Sequence, residues 1–309
     1  MHSLLSYDQN YKKTILGIGG WTHEDDLSSA TDAGYKDRVK LAKDSASIEF
    51  AAPLCIPLFL QNRALIPFCD LRVIIYPNSP EVMLEARADS TGAKFKVDFE
   101  DVSLSLRHLN LHDSAALTID AMIREKGSIT YPLRALQVRT FFIYGGRRTI
   151  PEHSLYLNTI PRRVIIGFVS AAAYNGSYQK NPFKFEDFKL SSLSIETTAG
   201  DSYPARPWEV DFAKKEYCRP YMALMQGMGY YNTGDTNGIT PQMFEKGYAL
   251  FMIDMSPSNE ATFELMRAGE TKVRATFSDA IDANGVYMIA MAEFDSTLHL
   301  SALVHQRLT

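Results

Sequence analysis

His108 and His112 are the two histidines whose spacing could bind a metal ion. They stand four residues apart, so in a helix both imidazoles would lie on one face. A zinc site needs a third and usually a fourth ligand, and no further histidine or cysteine stands close to this pair in the sequence. We therefore interpret both histidines as surface or structural residues.

The acidic run of Glu24, Asp25 and Asp26 carries the oxygen ligands that divalent cations prefer. Three adjacent carboxylates are nevertheless typical of a solvated loop, and we interpret the run in that way. The sequence therefore predicts no metal site.

Motifs for nucleophilic, phosphoryl-transfer or metal-assisted chemistry are absent from the sequence. It contains no GxSxG, no HExxH, no GxxxxGK[ST] and no kinase-type set. The glycine-rich run at residues 17–20 has no strand pattern before it and no helix pattern after it, so it predicts a flexible loop. We expect a protein that is not an enzyme and that binds no cofactor.

Composition and charge are those of an ordinary globular protein without an affinity for polyanions. The chain has 309 residues, 46% of them hydrophobic, and a net charge of -4. Basic doublets at residues 147–148, 162–163 and 214–215 could meet phosphate, but doublets at strand ends usually serve solubility. The sequence predicts no specific nucleic-acid site.

Cysteine usage and the N-terminal residues favour an intracellular protein that is not secreted. Cys55, Cys69 and Cys218 are odd in number and lack CxxC spacing, which is typical of a reducing compartment. The first residues lack the basic and apolar regions of a signal peptide, and no apolar stretch is long enough to span a bilayer.

Short apolar or alternating runs separated by turn residues dominate the chain after residue 46. The period of two predicts antiparallel strands, and the absence of a βαβ rhythm indicates an all-β sandwich. Predicted strands fall at residues 48–50, 55–58, 71–76, 94–99, 102–106, 134–143, 163–169, 188–195, 248–255, 271–278 and 286–294. Short helices are predicted between them, at residues 109–126, 240–245 and 258–267. Asn284 and Gly285 predict a hairpin turn before the last strand.

One segment is more specific than the others. Residues 161–190 read PRRVIIGFVSAAAYNGSYQKNPFKFEDFKL, and similar blocks occur at residues 131–143, 237–257 and 286–300. In order and spacing these blocks resemble the double jelly-roll (hexon-like) major capsid proteins of Polinton/Maverick elements and adintovirus-like viruses, including their copies in animal genomes.

This resemblance implies an all-β double jelly roll made of two antiparallel β-sandwiches, with short helices only in loops. Residues 1–128 would form the first jelly roll, incomplete at its N-terminus and with a long loop at residues 1–46. Residues 129–309 would form the second. We expect an incomplete roll to leave sheet edges exposed, so that the chain is poorly soluble or oligomeric.

The function that the resemblance implies is that of a major capsid protein forming pseudo-hexagonal homotrimers of an icosahedral shell. Its partners would be copies of itself, neighbouring capsid subunits and a minor capsid or penton protein. It would be located in the virion capsid, after assembly in the host cytoplasm or nucleus. Candidate interface residues form an aromatic and methionine-rich stretch: Tyr217, Tyr221, Met222, Met225, Met228, Tyr230 and Tyr231. The same residues could instead fill the core of their own domain.

Two alternatives remain open at this point. A non-assembling jelly-roll sandwich could bind carbohydrate, with Trp208, Tyr230 and Tyr231 stacking on sugar rings. A domesticated relative of a capsid protein could serve its host as a binding protein.

Overall fold

The computed structural model describes residues 1–66, 71–87, 92, 94–150, 153–256 and 267–301. Two four-stranded antiparallel sheets lie in its C-terminal part, and helices precede and connect their strands. The helices are α1 His2–Ser6, α2 Gln9–Ile18, α3 Ala33–Leu41, α4 Pro57–Leu60, α5 Pro80–Met83, α6 Asp113–Lys126, α7 Ala171–Tyr174, α8 Cys218–Gly227 and α9 Pro241–Glu245. The strands are β1 Ser128–Ile143, β2 His153–Tyr156, β3 Thr159–Ile160, β4 Arg163–Ser170, β5 Leu190–Thr197, β6 Ser202–Glu209, β7 Leu250–Asp254, β8 Arg267–Ala268, β9 Thr271–Phe277 and β10 Val286–Ser301.

The order of the strands identifies the type of sandwich. The first sheet has the order β1-β10-β4-β7, the second has the order β2-β9-β5-β6, and β3 pairs with β8 in a separate ribbon. When the ribbon is set aside and the remaining eight strands are renumbered along the chain, the two sheets read 1-8-3-6 and 2-7-4-5. This is the strand order of a jelly roll. The predicted all-β class is thus confirmed, and the sandwich occupies residues 128–301.

The core lies between the two sheets and is built around aromatic rings. Phe168 of β4 packs edge-on against Phe251 of β7 and Phe277 of β9, with ring centroids 6.4 and 5.5 Å apart. Leu193 and Ile195 of β5 close the opposite side and are fully buried. Burial of this many large apolar side chains provides the main driving force for folding of the sandwich.

Strands β4 and β7 of the first sheet are buried on their outer face as well. Ile165 points away from the inter-sheet core and is nevertheless buried. Helix α1 contributes buried Leu4 and Leu5 to the same apolar cluster, and α8 packs on β7. This double cover explains why the sequence of β4 is a continuous apolar run rather than an alternating one.

Residues before Ser128 differ from the prediction. The expected long loop at residues 1–46 contains α1, α2 and α3, whose starts at Gln9 and Ala33 are capped by the side chains of Asp8 and Asp32. The predicted strands at 48–50, 55–58, 71–76, 94–99 and 102–106 form no strand where the structure describes them. Alternation alone does not make a strand, because a strand also needs a hydrogen-bonded partner. The division into two jelly rolls at residues 128 and 129 stays a prediction.

Two of the three predicted helices are found in the structure. The helical stretch at 109–126 is confirmed as α6, which ends at Gly127 with a φ of 67°. The helix at 240–245 is confirmed as α9, with Thr240 as its N-cap and Pro241 in its first turn. Cys69 and nearly all of the predicted helix at 258–267 lie outside the described residues. No helix in the described part of the chain is both long and apolar enough to cross a membrane.

Candidate functional site

Helix α8 and the turn that follows it contain the predicted interface residues. One side of α8 packs on β7, where fully buried Leu224 enters the core. The approach is close at the end of the helix, because a β-carbon placed on Gly227 would stand 2.5 Å from Cε of Met252. The opposite side of α8 faces outward, so the helix presents both core and surface residues.

Tyr217 belongs to the core, and the partly buried Tyr221 packs against it. Tyr217 is buried, stacks on Phe212 with 5.2 Å between centroids, and donates a hydrogen bond from Oη to Oε1 of Glu245. Burial raises the pKa of Tyr217 to about 12. Tyr221 donates from Oη to the carbonyl oxygen of Ile239 at 2.8 Å. Both rings therefore hold the α8 and α9 regions together.

The remaining candidates divide by exposure. Met225 and Met228 are partly buried and pack against the core, and Tyr230 is half-buried. Met222 and Tyr231 have exposed fractions of 46% and 53%. We call Met222, Tyr230 and Tyr231 the α8 surface, since these are the members of the predicted set that a partner can reach.

Trp208 does not lie on a surface. It is 4% exposed and sits on β6 between the two sheets, with its ring 6.4 Å from that of Phe251. The expectation that Trp208 stacks on a sugar is therefore wrong. Its position opposite Leu193 in the ladder with β5 explains the burial, because that face of β6 is turned toward the core.

The edge of β1 is open along its second half. Of the four sheet edges, β7 is covered by α8, β2 is short, and β6 contains Pro204 and Pro207, which lack the donor that a further strand would need. Residues 137–140 of β1 are exposed, and Val138 has an exposed fraction of 56%. Among the strands that the structure describes, β1 therefore offers the longest unprotected edge.

Large apolar side chains are also exposed along the chain that precedes the sandwich, mostly in segments without regular structure. The segments expose large apolar side chains at Leu71, Ile74, Ile75, Tyr76, Met83, Phe95, Phe99, Val102, Leu104, Leu106, Leu109 and Leu111. A soluble monomer rarely exposes so many apolar side chains in one stretch, and such stretches usually mark interaction sites. We call these residues the extended apolar segment.

The predicted metal-binding candidates do not converge. His108 and His112 are exposed, and α6 begins only at Asp113, so no helical turn brings the two imidazoles together. His112 occupies the N-cap position of that helix, and its Nδ1 lies 3.1 Å from Oγ of Ser114. No group of three or more metal-ligating side chains comes together within the described residues.

Glu24 is the residue of the acidic run whose environment differs from the predicted solvated loop. Its carboxylate is buried, paired with Arg38 through Oε1 and with Nη2 of Arg87 at 2.5 Å through Oε2. Burial raises the pKa of Glu24, and the two guanidinium groups act against that rise. Arg87 also binds Oε1 of Glu85 at 2.7 Å. The expectation of a solvated carboxylate is wrong here, because this ion network fastens residues 85–87 to the N-terminal helices.

The ion network around Glu24 and Glu85 also contacts residues of the sandwich region. Tyr248, which precedes β7, donates from Oη to the carbonyl oxygen of Glu24 at 2.7 Å, and Asn181 donates from Nδ2 to Glu85 at 3.4 Å.

Arg163 of β4, predicted as a solubilising doublet with Arg162, instead pairs with Oε2 of Glu293 at 2.6 Å. These groups lie far apart in sequence, so no local pattern could have indicated them.

Comparison with known proteins finds a relative of this chain in a nematode. No family model matches it. It is 32% identical to the uncharacterized protein F54H12.2 of Caenorhabditis elegans over 300 residues, which cover 96% of this chain and 70% of the nematode protein. The chain belongs to the family of F54H12.2. This member of the F54H12.2 family therefore contains the jelly roll at residues 128–301.

Three solved structures that are similar to this member of the F54H12.2 family come from viruses. PBCV-1 VP54, fitted into a reconstruction of the virophage Sputnik, is 9% identical with a TM-score of 0.37, over 60% of this chain and 52% of that one. The Faustovirus major capsid protein is 13% identical with a TM-score of 0.36, over 60% and 36% of the two chains. The mavirus major capsid protein is 12% identical with a TM-score of 0.31, over 57% and 40%. The chain spans about half or less of the length of these proteins.

Proposed function

We propose that this chain is a structural subunit of a viral or virus-derived capsid, acting through self-association and without catalysis. The observation that carries the proposal is the 1-8-3-6 and 2-7-4-5 strand order of the sandwich at residues 128–301. Jelly rolls with this order are used by viral capsid proteins, among others. The sequence blocks that resemble Polinton/Maverick and adintovirus-like major capsid proteins lie in the same part of the chain.

In this proposal the chain forms a homotrimer with a pseudo-hexagonal outline. Residues 1–128 and 129–309 would contribute one lobe each, so that three copies present six lobes. Contacts would be made by the surfaces that the sandwich leaves open: the α8 surface, the free edge of β1 and the extended apolar segment. Neighbouring trimers and a minor capsid or penton protein would be the further partners, in a virion capsid assembled inside the host cell.

The solution molar mass tests this proposal directly. Light scattering after size exclusion, combined with negative-stain images of the main peak, should give three times the chain mass of 34.7 kDa and a hexagonal outline. A monodisperse monomer at micromolar concentration would overturn the proposal of an assembling subunit. It would favour the non-assembling binding protein instead.

A further inference from the structure

Residues 96–101 form an extended segment whose backbone has no hydrogen-bonding partner. The sequence KVDFED alternates in polarity up to Phe99, which is the pattern of a strand with one apolar face. These residues belong to no sheet, and none of their backbone N–H or C=O groups is hydrogen-bonded to another described residue. Phe99 has an exposed fraction of 61%. The segment therefore has the sequence of a strand but lacks the neighbour that would make it one.

The edge of β1 lacks a neighbour in its second half. Residues before β1 cover its first half, where Tyr131 donates from Oη to the carbonyl oxygen of Ala64 at 3.3 Å and Arg63 donates to that of Thr130 at 3.4 Å. Residues 137–140 lie beyond this cover and are exposed. An edge strand presents a row of unpaired backbone groups to which a further strand can bind.

The two faces of this open edge differ in chemistry. Ile143 is buried toward the core, and Arg139, four residues before it, lies on the same face of β1. Val138 and Thr140 lie on the opposite face. Arg139 is exposed, and no carboxylate of the described residues lies within ion-pair distance of it. The open edge thus presents one unpaired positive charge on one face and apolar atoms on the other.

The extended segment at residues 96–101 has the complementary faces. Asp98 and Glu100 lie on one side of an extended backbone, and Val97 and Phe99 lie on the other. The carboxylate of Asp98 pairs with Nζ of Lys96 at 2.5 Å, and both side chains are exposed. An exposed pair of this kind contributes little, so Asp98 can exchange it for another cation at small cost.

We propose that residues 96–101 of one copy add as an antiparallel strand to residues 136–141 of β1 in a second copy. All strand pairs of the first sheet are antiparallel, and the added strand would extend that sheet by one. The inference rests on the proposed function, because it names the contact between copies. Each copy donates one segment and accepts one, and head-to-tail contacts of this type close into a ring when the rotation fits.

Charge fixes the register of the proposed pairing. The antiparallel register that places Asp98 opposite Arg139 also places Phe99 opposite Val138, so an ion pair forms on one face and an apolar contact on the other. A shift by one residue would turn the apolar side chains to the wrong face. A shift by two residues would bring Lys96 opposite Arg139, where like charges repel.

Charge reversal in the full chain tests the pairing. Arg139→Glu and Asp98→Lys should each raise the dissociation constant of self-association about tenfold or more, because like charges then face each other. The double variant Arg139→Glu/Asp98→Lys restores opposite charges and should return to within about threefold of the wild type. Arg206→Glu, at an exposed position of β6, is the matched control and should leave the constant unchanged. Dilution followed by light scattering measures all four constants.

Hydrogen exchange reports on the strand itself. The amides of residues 96–101 and 137–140 should be protected at high protein concentration and lose protection together on dilution. Protection that does not depend on concentration would overturn the proposal, because it would place the pairing within one chain. So would a double variant that associates no better than either single variant.

The same measurements separate this inference from the proposed function. A monomeric wild type would overturn both. A wild-type trimer whose association is unchanged in Arg139→Glu and in Asp98→Lys would overturn only the pairing of residues 96–101 with β1.

Discussion

The ring of Phe185 lies directly against the backbone of Gly167 in the middle of β4. A β-carbon placed on Gly167 would stand 2.5 Å from Cδ1 of Phe185 and 2.8 Å from Cδ2 of Leu250. Phe185 is itself buried, and its backbone N–H donates to the carbonyl oxygen of Gly247 at 2.8 Å. The segment after α7 is therefore clamped onto the outer face of the first sheet at a point where only glycine fits.

Gly167→Ala should lower the free energy of unfolding by about 1–3 kcal/mol, because the added methyl group must displace Phe185 or Leu250 in a packed layer. Urea denaturation followed by fluorescence measures the change. Gly234→Ala is the matched control, since a β-carbon there meets no atom within 4 Å. Equal stabilities of the two variants would show that the outer layer is loosely packed.

Glu24→Gln should destabilise the N-terminal helices by about 1–3 kcal/mol, since it removes a buried carboxylate from Arg38 and Arg87 and leaves them only Glu85. Hydrogen exchange of residues 1–41 reports on the expected local opening. Asp25→Asn changes the neighbouring carboxylate, which is exposed, and should leave exchange unchanged. Protection that survives in Glu24→Gln would contradict a role of the ion network in docking.

Variants of the α8 surface should weaken self-association without changing the stability of the fold. Met222→Ser and Tyr231→Ser together should weaken self-association by about 2 kcal/mol or more and leave the unfolding midpoint almost unchanged, because both side chains are exposed. Tyr217→Ala should instead lower the free energy of unfolding by about 3–5 kcal/mol through loss of a core ring. Sedimentation equilibrium and thermal unfolding measure the two quantities. Unchanged association in the double variant would place the interface elsewhere.

A charge on the open edge of β1 should oppose strand addition. Val138→Lys should raise the dissociation constant of self-association about tenfold, since lysine on an edge strand disfavours pairing with a further strand. Dilution measured by light scattering gives the constant. Phe183→Lys introduces the same charge at another exposed apolar position and serves as the control. If both variants behave alike, net charge rather than the edge determines association.

The lowered pKa of Lys12 predicts a rise in stability with pH. Burial lowers this pKa to about 8 in the folded chain, below the unfolded value of about 10.4. The unfolded state therefore holds more protons between these values, and the free energy of unfolding should increase from pH 8 to pH 9.5. Asp8 attracts the ammonium, and Lys13 and His23 line the same small cavity as Lys12.

Urea denaturation at several pH values tests this prediction. Lys12→Met should flatten the profile between pH 8 and pH 9.5, and Lys36→Met, at an exposed position of α3, should follow the wild type. A wild-type stability that falls over this interval would contradict the direction of the pKa shift.

The sequence predicts best those features that depend on neighbouring residues. The apolar run of β4 predicts a strand buried on both faces, and Thr240 with Pro241 predicts the start of α9; both are found. Gly285 has the positive φ of 76° that its turn signal predicts. The hairpin expected there is nevertheless wrong, because β9 and β10 belong to different sheets. Turn chemistry fixes a local backbone shape but not the partner of the next strand.

Features that depend on distant residues could not be predicted. Glu24 meets Arg87 across 63 positions and Lys12 meets Asn237 across 225 positions. No period or motif marks such pairs, since their partners are set by the finished fold. The interface candidates could not be told apart either, because Tyr217 and Tyr231 belong to one aromatic and methionine-rich stretch, yet Tyr217 is buried and Tyr231 is exposed.

The pairing of β1 with β10 also constrains when the protein can fold during synthesis. Ser128 pairs with Ser301. Even the two paired residues that are closest in sequence, Ile143 and Val286, are about 140 residues apart. At 5–20 residues per second a ribosome needs roughly 7–30 s to make the intervening chain. During that time β1 has emerged without β10, the strand with which it pairs in the described sheet, and its apolar side chains are exposed to the crowded cell. The nascent chain should therefore depend on chaperones until its last strand is released.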